Sequence, residues 1–293
     1  MPTLTDIKTS KRTPRPEWLK VRLPSGEGYT STKNIVKEFD LNTVCEDARC
    51  PNMAECWGNG TATFMILGDI CTRSCGFCSV MTGKPVGLDL DEPGRVAKAI
   101  EAMGIDYAVI TSVNRDELSD GGASLFAETI ERIRSLIPAC KIEVLIPDFK
   151  GDFKSLLTVL RARPDVLNHN IETVPRLYSK VRPQADYEQS LELIQRAKDF
   201  GSVTKSGMMV GLGEETDEVY KVLEDLKQNG CDIATIGQYL QPTKNHLKVK
   251  RYVEPLEFAE YKAFGTVLGF TAIESGPLVR SSYHAKDVLT FST

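Results

Sequence analysis

A chain of 293 residues with 41% hydrophobic and 26% charged side chains carries enough apolar material for one sizeable core and reads as a soluble globular protein. Its formal net charge of -4 excludes the global basic field on which sequence-independent nucleic-acid binding rests. Apolar runs such as Phe64-Met65-Ile66-Leu67 are only a few residues long, against about twenty for a membrane-spanning helix, so no membrane partner is expected.

The N-terminus carries Lys8, Lys11, Arg12 and Arg15, but Pro14 and Pro16 interrupt it and no apolar run of signal-peptide length follows. Export is not expected, and Asp6 argues against an organellar transit peptide. Residues 1–60 are poor in apolar periodicity and rich in Pro, Gly, Asn and charge, which predicts an extended, loop-dominated segment fixed by something other than a core. From residue 61 short β-branched or apolar runs alternate with stretches of helical period. The runs are Thr61 to Leu67, Tyr107 to Thr111, Lys141 to Ile146, Val166 to Ile171, Val203 to Val210 and Asp232 to Ile236. Helices are predicted near 93–104, 122–137, 152–163, 187–200, 215–229 and 255–268, with Asp152 and Asp186 as N-caps and Gly104, Gly201, Gly230 and Gly269 as stops.

Crossovers long enough to hold a helix imply parallel pairing. The prediction is an α/β fold: a partial (β/α)6 barrel of TIM type over 61–270, an N-terminal extension over 1–60 and a short C-terminal segment over 271–293 that closes the site. Active-site residues should gather where strands end and the next loops begin.

Eight cysteines, six of them between positions 45 and 78, suit a reducing cytosol and a metal role better than disulfides. Cys71, Cys75 and Cys78 form C-x3-C-x2-C on the loop after the first strand. Three thiolates on a short loop suit an iron–sulfur cubane, whose full ligand set is normally four, and the missing ligand leaves one iron open to a small molecule. A zinc knuckle or plain buried thiols are the competing readings, although zinc sites usually present four ligands. Cys45, Cys50 and Cys56 form C-x4-C-x5-C in a segment with little apolar material, where a metal is a plausible staple. His169, His246 and His284 lie far from both triads in sequence. His169 and His284 read as packing or hydrogen-bonding residues, and Cys140 and Cys231 as small buried hydrophobes.

The spacing of Cys71, Cys75 and Cys78 resembles the signature of the radical S-adenosylmethionine superfamily, and C-x4-C-x5-C before it, with Arg280-Ser281-Ser282-Tyr283 near the C-terminus, resembles the lipoyl synthases. Thr111 to Leu118, His169 to Val174, Lys205 to Glu214 and Ile236 to Leu240 carry the resemblance along most of the chain. It implies two [4Fe–4S] clusters and S-adenosylmethionine as cofactors. Cys71, Cys75 and Cys78 would hold the first cluster. Cys45, Cys50 and Cys56, with Ser282 or failing that Ser281, would hold the second, which serves as sulfur donor; both clusters are expected to face one cavity. Thr111, Ser112, Asn114, Asn170 and Glu172 would offer polar groups to S-adenosylmethionine, and Phe77, Met209, Gln238 and Leu240 would line the nucleoside. The implied reaction inserts two sulfur atoms at C6 and C8 of an octanoyl group on a lipoyl carrier protein, such as glycine cleavage H protein or a 2-oxoacid dehydrogenase E2 subunit, with ferredoxin or flavodoxin as reductant. A biotin-synthase-like sulfurtransferase is the enzymatic rival, and a zinc-stabilised binding module the non-enzymatic one. The one local basic run, Lys244 to Arg251, is a candidate docking site for an acidic carrier domain.

Overall fold

A helix, α1 (Glu27–Glu38), stands in the segment expected to be loop; the computed structural model describes residues 15–21, 25–283 and 285–286. Its poor helix formers, among them Gly28, Thr30, Ser31 and Thr32, hide it from a propensity reading, and tertiary packing supports it instead. After β1 (Asn42–Thr43) and α2 (Val44–Asp47), α1 lies against α3 (Met53–Gly58). A Cβ on Gly28 would stand 2.3 Å from the Gly58 carbonyl oxygen, so the two backbones approach this closely only because residue 28 lacks one. Thr32 donates to the Trp57 carbonyl at 3.0 Å, and the rings of Tyr29 and Trp57 lie 5.3 Å apart. Val36, Leu41, Cys45 and Trp57 are buried in the same hydrophobic core as the strands that follow. The expectation that this extension lacks a core is therefore corrected: it borrows one.

The barrel follows in chain order: β2 (Thr63–Ile66), β3 (Ile70–Cys71), β4 (Met81–Thr82), α4 (Glu92–Ala102), β5 (Tyr107–Ser112), α5 (Ala123–Leu136), β6 (Lys141–Leu145), α6 (Phe153–Arg161) and β7 (Val166–Asn168). Then come α7 (Tyr178–Val181), α8 (Tyr187–Asp199), β8 (Thr204–Val210), α9 (Thr216–Gln228), β9 (Ile233–Gln238), α10 (Pro255–Leu268) and β10 (Ala272–Gly276). The eight-stranded sheet runs β1-β2-β5-β6-β7-β8-β9-β10, antiparallel only between β1 and β2. The six expected parallel strands are all present in sequential order. Two strands of this sheet were not anticipated: β1 on one edge and β10, parallel to β9, on the other. β1 has only two residues, and β10 lies in the segment assigned only to closing the site. The paired strands β3 and β4, in a separate two-stranded sheet, were not anticipated either. The strand expected over Val166 to Ile171 stops at Asn168, because His169 to Val174 turns away to build part of the site. Asp152 and Asp186 cap α6 and α8 through Ser155 N and Gln189 N, and the four expected stop glycines all adopt positive φ.

Inside the barrel the Lys205 ammonium donates to both Glu143 oxygens at 2.9 and 3.0 Å, and Asn168 Nδ2 and Tyr107 Oη donate to the same carboxylate at 3.0 and 2.8 Å. Four neighbouring strands thus converge on one buried charge, which is tolerable only because its lone pairs are all used. No helix among the described residues is long and apolar enough to cross a membrane.

Candidate functional site

The loop between β3 and β4 carries Cys71, Cys75 and Cys78 just past the end of β2, where the barrel architecture predicts chemistry. The two short strands pair with each other and pin both ends of the loop. Thr72 donates to the Asn114 carbonyl at 3.0 Å, joining the loop to the end of β5. Arg73, 3% exposed at its side chain, forks onto Asp116 at 2.7 and 2.9 Å and onto Asp148 at 2.7 and 2.6 Å. Backbone N–H groups of Arg73 and Asn114 donate to Cys71 Sγ at 3.4 and 3.3 Å. From the far side His246 Nε2 lies 2.9 Å from the Cys78 carbonyl oxygen, and Leu247 N donates to the Gly76 carbonyl at 3.0 Å. Both nitrogens of His246 are engaged, the other with Thr243, so it braces the loop.

Burial pushes the Cys75 thiol up to about 11, against the nearby Arg182 charge, and the Cys78 thiol to about 12, against a hydrogen bond from the Val80 backbone. These thiols would stay protonated without a cation to stabilise the thiolate. Around them stand polar atoms with unused capacity: Ser112 Oγ and Asn114 Oδ1 are buried without a hydrogen-bond partner among the described residues. Asn170 donates to Glu172 at 3.0 Å and accepts from Ser281 at 2.9 Å. Burial raises the Glu172 pKa, with the Arg182 guanidinium opposing it. Phe77 and Met209 pack together with Val181, Leu212 and Tyr239 into an apolar cluster, and Leu240 follows directly after Tyr239.

Two of the expected contact residues have their side chains engaged within the fold. Gln238 is fully buried; its amide donates to the carbonyls of Val210, Tyr239 and Arg251 and accepts from Val253 N, so the side chain has nothing left for a nucleoside. The Thr111 hydroxyl donates to the Leu145 carbonyl at 3.0 Å and ties β5 to β6. In the other direction, sequence reasoning missed Arg182, which is buried and donates to the carbonyls of Asn170 and Ile171 while its charge acts on Cys75. It stands in an ordinary Val-Arg-Pro run with no motif signal. His169 is held by the Ile146 carbonyl and Ser190 as a hydrogen-bonding core residue, Cys140 and Cys231 are buried, and His284 lies outside the described residues.

The second triad occupies a different place. Cys45, Cys50 and Cys56 line a cavity of about 310 Å³ with Arg280, Ser282 and Tyr283, walled by Thr63, Tyr107 and Val109 from the first halves of β2 and β5. Burial pushes Cys45 to about 11 and Cys56 to about 12. None of Cys71, Cys75 and Cys78 is among the residues that line this cavity; they sit beyond the opposite ends of the same strands. Arg280 Nη1 donates to the Val279 carbonyl at 2.6 Å, and the turn from Arg280 to Tyr283, closed by a 3.0 Å backbone bond, puts Ser282 into the cavity and sends Ser281 to Asn170.

The profile of the radical SAM superfamily matches residues 65–226, and that of the N-terminal domain of lipoyl synthase of the radical SAM family matches residues 4–50. Lipoyl synthase of Rubrobacter xylanophilus is 61% identical over 275 residues, covering 93% of this chain and 86% of the relative. The mitochondrial lipoyl synthase of Nematostella vectensis is 53% identical, covering 98% of this chain and 99% of its own. This chain belongs to the lipoyl synthase family. Among solved structures, methylornithine synthase is similar with a TM-score of 0.55 at 15% identity, over 86% of this chain and 84% of that one. HydG, a maturase of the [FeFe]-hydrogenase, is similar with a TM-score of 0.57 at 14% identity, over 90% and 67%. These two likenesses concern the fold.

A lipoyl synthase uses two [4Fe–4S] clusters and S-adenosylmethionine. The residues present fit these groups. The eight cysteines are free thiols, six of them in the two triads, and within each triad the thiols are near enough to repel one another electrostatically when charged. Among the described residues no three Cys, His, Asp or Glu side chains are drawn together as a single bare ion would require. The orphaned Ser112 and Asn114 oxygens supply acceptors for a ligand bearing an ammonium and hydroxyls.

Proposed function

We propose that Cys71, Cys75 and Cys78 hold one [4Fe–4S] cluster, that Cys45, Cys50, Cys56 and Ser282 hold the other, and that the chain inserts two sulfur atoms at C6 and C8 of a protein-bound octanoyl group. The observation that supports it best is the Arg280–Tyr283 turn, which delivers an oxygen ligand to a cavity already lined by three thiols. Held by these residues, the first cluster would supply the electron needed for reductive cleavage of S-adenosylmethionine, and the second would supply sulfur. The target C–H bonds have no useful acidity, so a general base is of no use to them.

The chain's own groups bind and orient. Ser112, Asn114, Asn170 and Glu172 take the polar edge of S-adenosylmethionine, and Phe77, Met209 and Leu240 its apolar face. Glu172, whose burial favours the neutral acid, becomes a carboxylate partner when a cationic ammonium arrives. Gln238 and Thr111 act at one remove by fixing the loop after β9 and the β5–β6 edge. The apolar walls around Phe77 and Met209 keep water from a reactive carbon radical.

The substrate is presented on a lipoyl carrier protein, such as glycine cleavage H protein or a 2-oxoacid dehydrogenase E2 subunit, with ferredoxin or flavodoxin supplying electrons and the reducing cytoplasm as the setting. Lys244, Lys248 and Lys250 stand exposed on the loop that braces the first triad, whereas Arg251 is taken up by Glu257 at 2.6 Å. Reversing those three lysines to Glu is expected to weaken carrier binding at low salt; unchanged affinity there refutes the docking assignment. The activity itself is tested by mass spectrometry of an octanoylated carrier peptide after anaerobic incubation of the iron-loaded protein with reductant and S-adenosylmethionine. Two added sulfurs are expected. Unaltered peptide beside abundant 5′-deoxyadenosine refutes the substrate assignment.

A further inference from the structure

The Arg280-Ser281-Ser282-Tyr283 turn points its two serines in different directions. Ser282 enters the cavity of the second triad, and Ser281 Oγ donates to Asn170 Oδ1 at 2.9 Å beside the first. The contact is built rather than incidental. Residue 207 on β8 is glycine, and a Cβ there would stand 2.7 Å from Ser281 Oγ and 2.9 Å from Asn170 Oδ1, so a side chain at that position would occupy the space in which the two meet. Residue 237 on β9 is also glycine, and a Cβ there would fall 2.1 Å from the Val279 carbonyl oxygen, which clears the path of the segment leading into the turn. The turn is closed by Tyr283 N donating to the Arg280 carbonyl, and Asn52, two residues after Cys50, donates to the Leu278 carbonyl at 2.7 Å. Ser281 and Ser282 therefore move as one unit.

Asn170 Oδ1 accepts from Ser281, and its amide nitrogen is committed to Glu172. Ser281 uses one of the two lone pairs of this oxygen, and a ligand donor, a ribose hydroxyl or an ammonium, that reaches it from the side Ser281 occupies competes with Ser281. We propose that Ser281 is a positioning residue that couples the two sites: it holds Asn170 when S-adenosylmethionine is absent, and its displacement by the bound nucleoside shifts the turn and with it Ser282 in the second triad's cavity. This rests on the assignment of Asn170 to S-adenosylmethionine made above. The ligand that begins the chemistry beside the first triad thereby loosens the oxygen ligand beside the second, which would otherwise hold the sulfur donor closed.

The test uses the iron-loaded protein under anaerobic conditions, with S-adenosylmethionine affinity and amide hydrogen exchange over residues 279–283 as readouts, neither of which is turnover. Loss of a competing neutral hydrogen bond corresponds to about fivefold in an equilibrium constant, so Ser281→Ala is expected to bind S-adenosylmethionine about fivefold more tightly. Tightening is a result that mere structural damage does not produce. In the unsubstituted protein the ligand is expected to speed exchange in 279–283, and in Ser281→Ala exchange is fast from the outset and indifferent to ligand. Asn170→Ala separates the two claims. If it leaves affinity unchanged, the placing of the nucleoside at Asn170 fails and the coupling fails with it. If Asn170→Ala weakens binding but Ser281→Ala changes neither affinity nor exchange, the coupling alone is overturned.

Discussion

Replacing Arg73 by Met removes the cation between two carboxylates and should be among the most damaging single changes outside the cysteines. Asp148 is fully buried at its side chain and Asp116 22% exposed, so the uncompensated charge falls mainly on Asp148, which among the described residues keeps only the Lys150 backbone N–H at 2.9 Å as a donor. Leaving one member of a buried pair unpartnered costs about 3–5 kcal/mol, a large share of the ~5–15 kcal/mol by which domains are stable. The Arg73 guanidinium holds the Asp148 carboxyl below its ordinary range, against a larger opposing push from burial. In the folded protein this depressed group contributes stability that is present above the unfolded-state pKa and lost as pH falls through the folded one. With the arginine gone, burial outweighs the remaining Lys150 hydrogen bond at Asp148, and protonation relieves it. The penalty should therefore be largest near pH 7.5 and shrink toward pH 4. Urea unfolding of the apo-protein, followed by circular dichroism at both pH values, measures it, and Arg73→Met/Asp148→Leu should cost less than Arg73→Met alone. A penalty below about 1 kcal/mol, or one that does not change with pH, would refute the reasoning.

Three further outcomes follow from geometry already described. His169, buried and held neutral with its pKa depressed to about 4, binds no proton in the folded state where the unfolded chain does. Stability should fall as pH drops from about 6.5 toward 4, by at most about 3 kcal/mol from this group, and the slope over that window should flatten in His169→Gln. Gly28→Ala drives a Cβ onto the Gly58 carbonyl oxygen, and a loss of about 1–3 kcal/mol in stability is expected by denaturant unfolding. Lys205→Met strands Glu143 among Asn168 and Tyr107, and a loss on the scale of a broken buried pair, about 3–5 kcal/mol, is expected by the same measurement.

The barrel was legible because each strand and helix carried its own period, and the caps at Asp152 and Asp186 fall where their residue types require. The first triad was legible because its spacing and its place after a strand are both local facts. What stayed hidden depends on contacts distant in sequence. Helix α1 is supported by a glycine whose reason is Gly58, thirty positions on. Arg182 and Arg73 look like any other arginine until Asn170, Asp116 and Asp148 are brought around them. Gln238 looked available because a sequence shows a polar side chain but not the four backbone groups that use it. Strand β1 has two residues, and β10, Ala272–Gly276, buries only Ile273, so neither shows a period of two, yet they form the two edges of the sheet. That Ser282 rather than Ser281 lines the second triad's cavity needed the turn, which directs Ser281 to Asn170 instead.

The division of labour between the two triads is tested most directly by Cys45→Ala, assayed for iron, 5′-deoxyadenosine and sulfur added to an octanoylated peptide in one anaerobic reaction. The account predicts about four irons instead of about eight, continued formation of 5′-deoxyadenosine, and a peptide that gains no sulfur. A Cys45→Ala protein that still adds two sulfurs would contradict it.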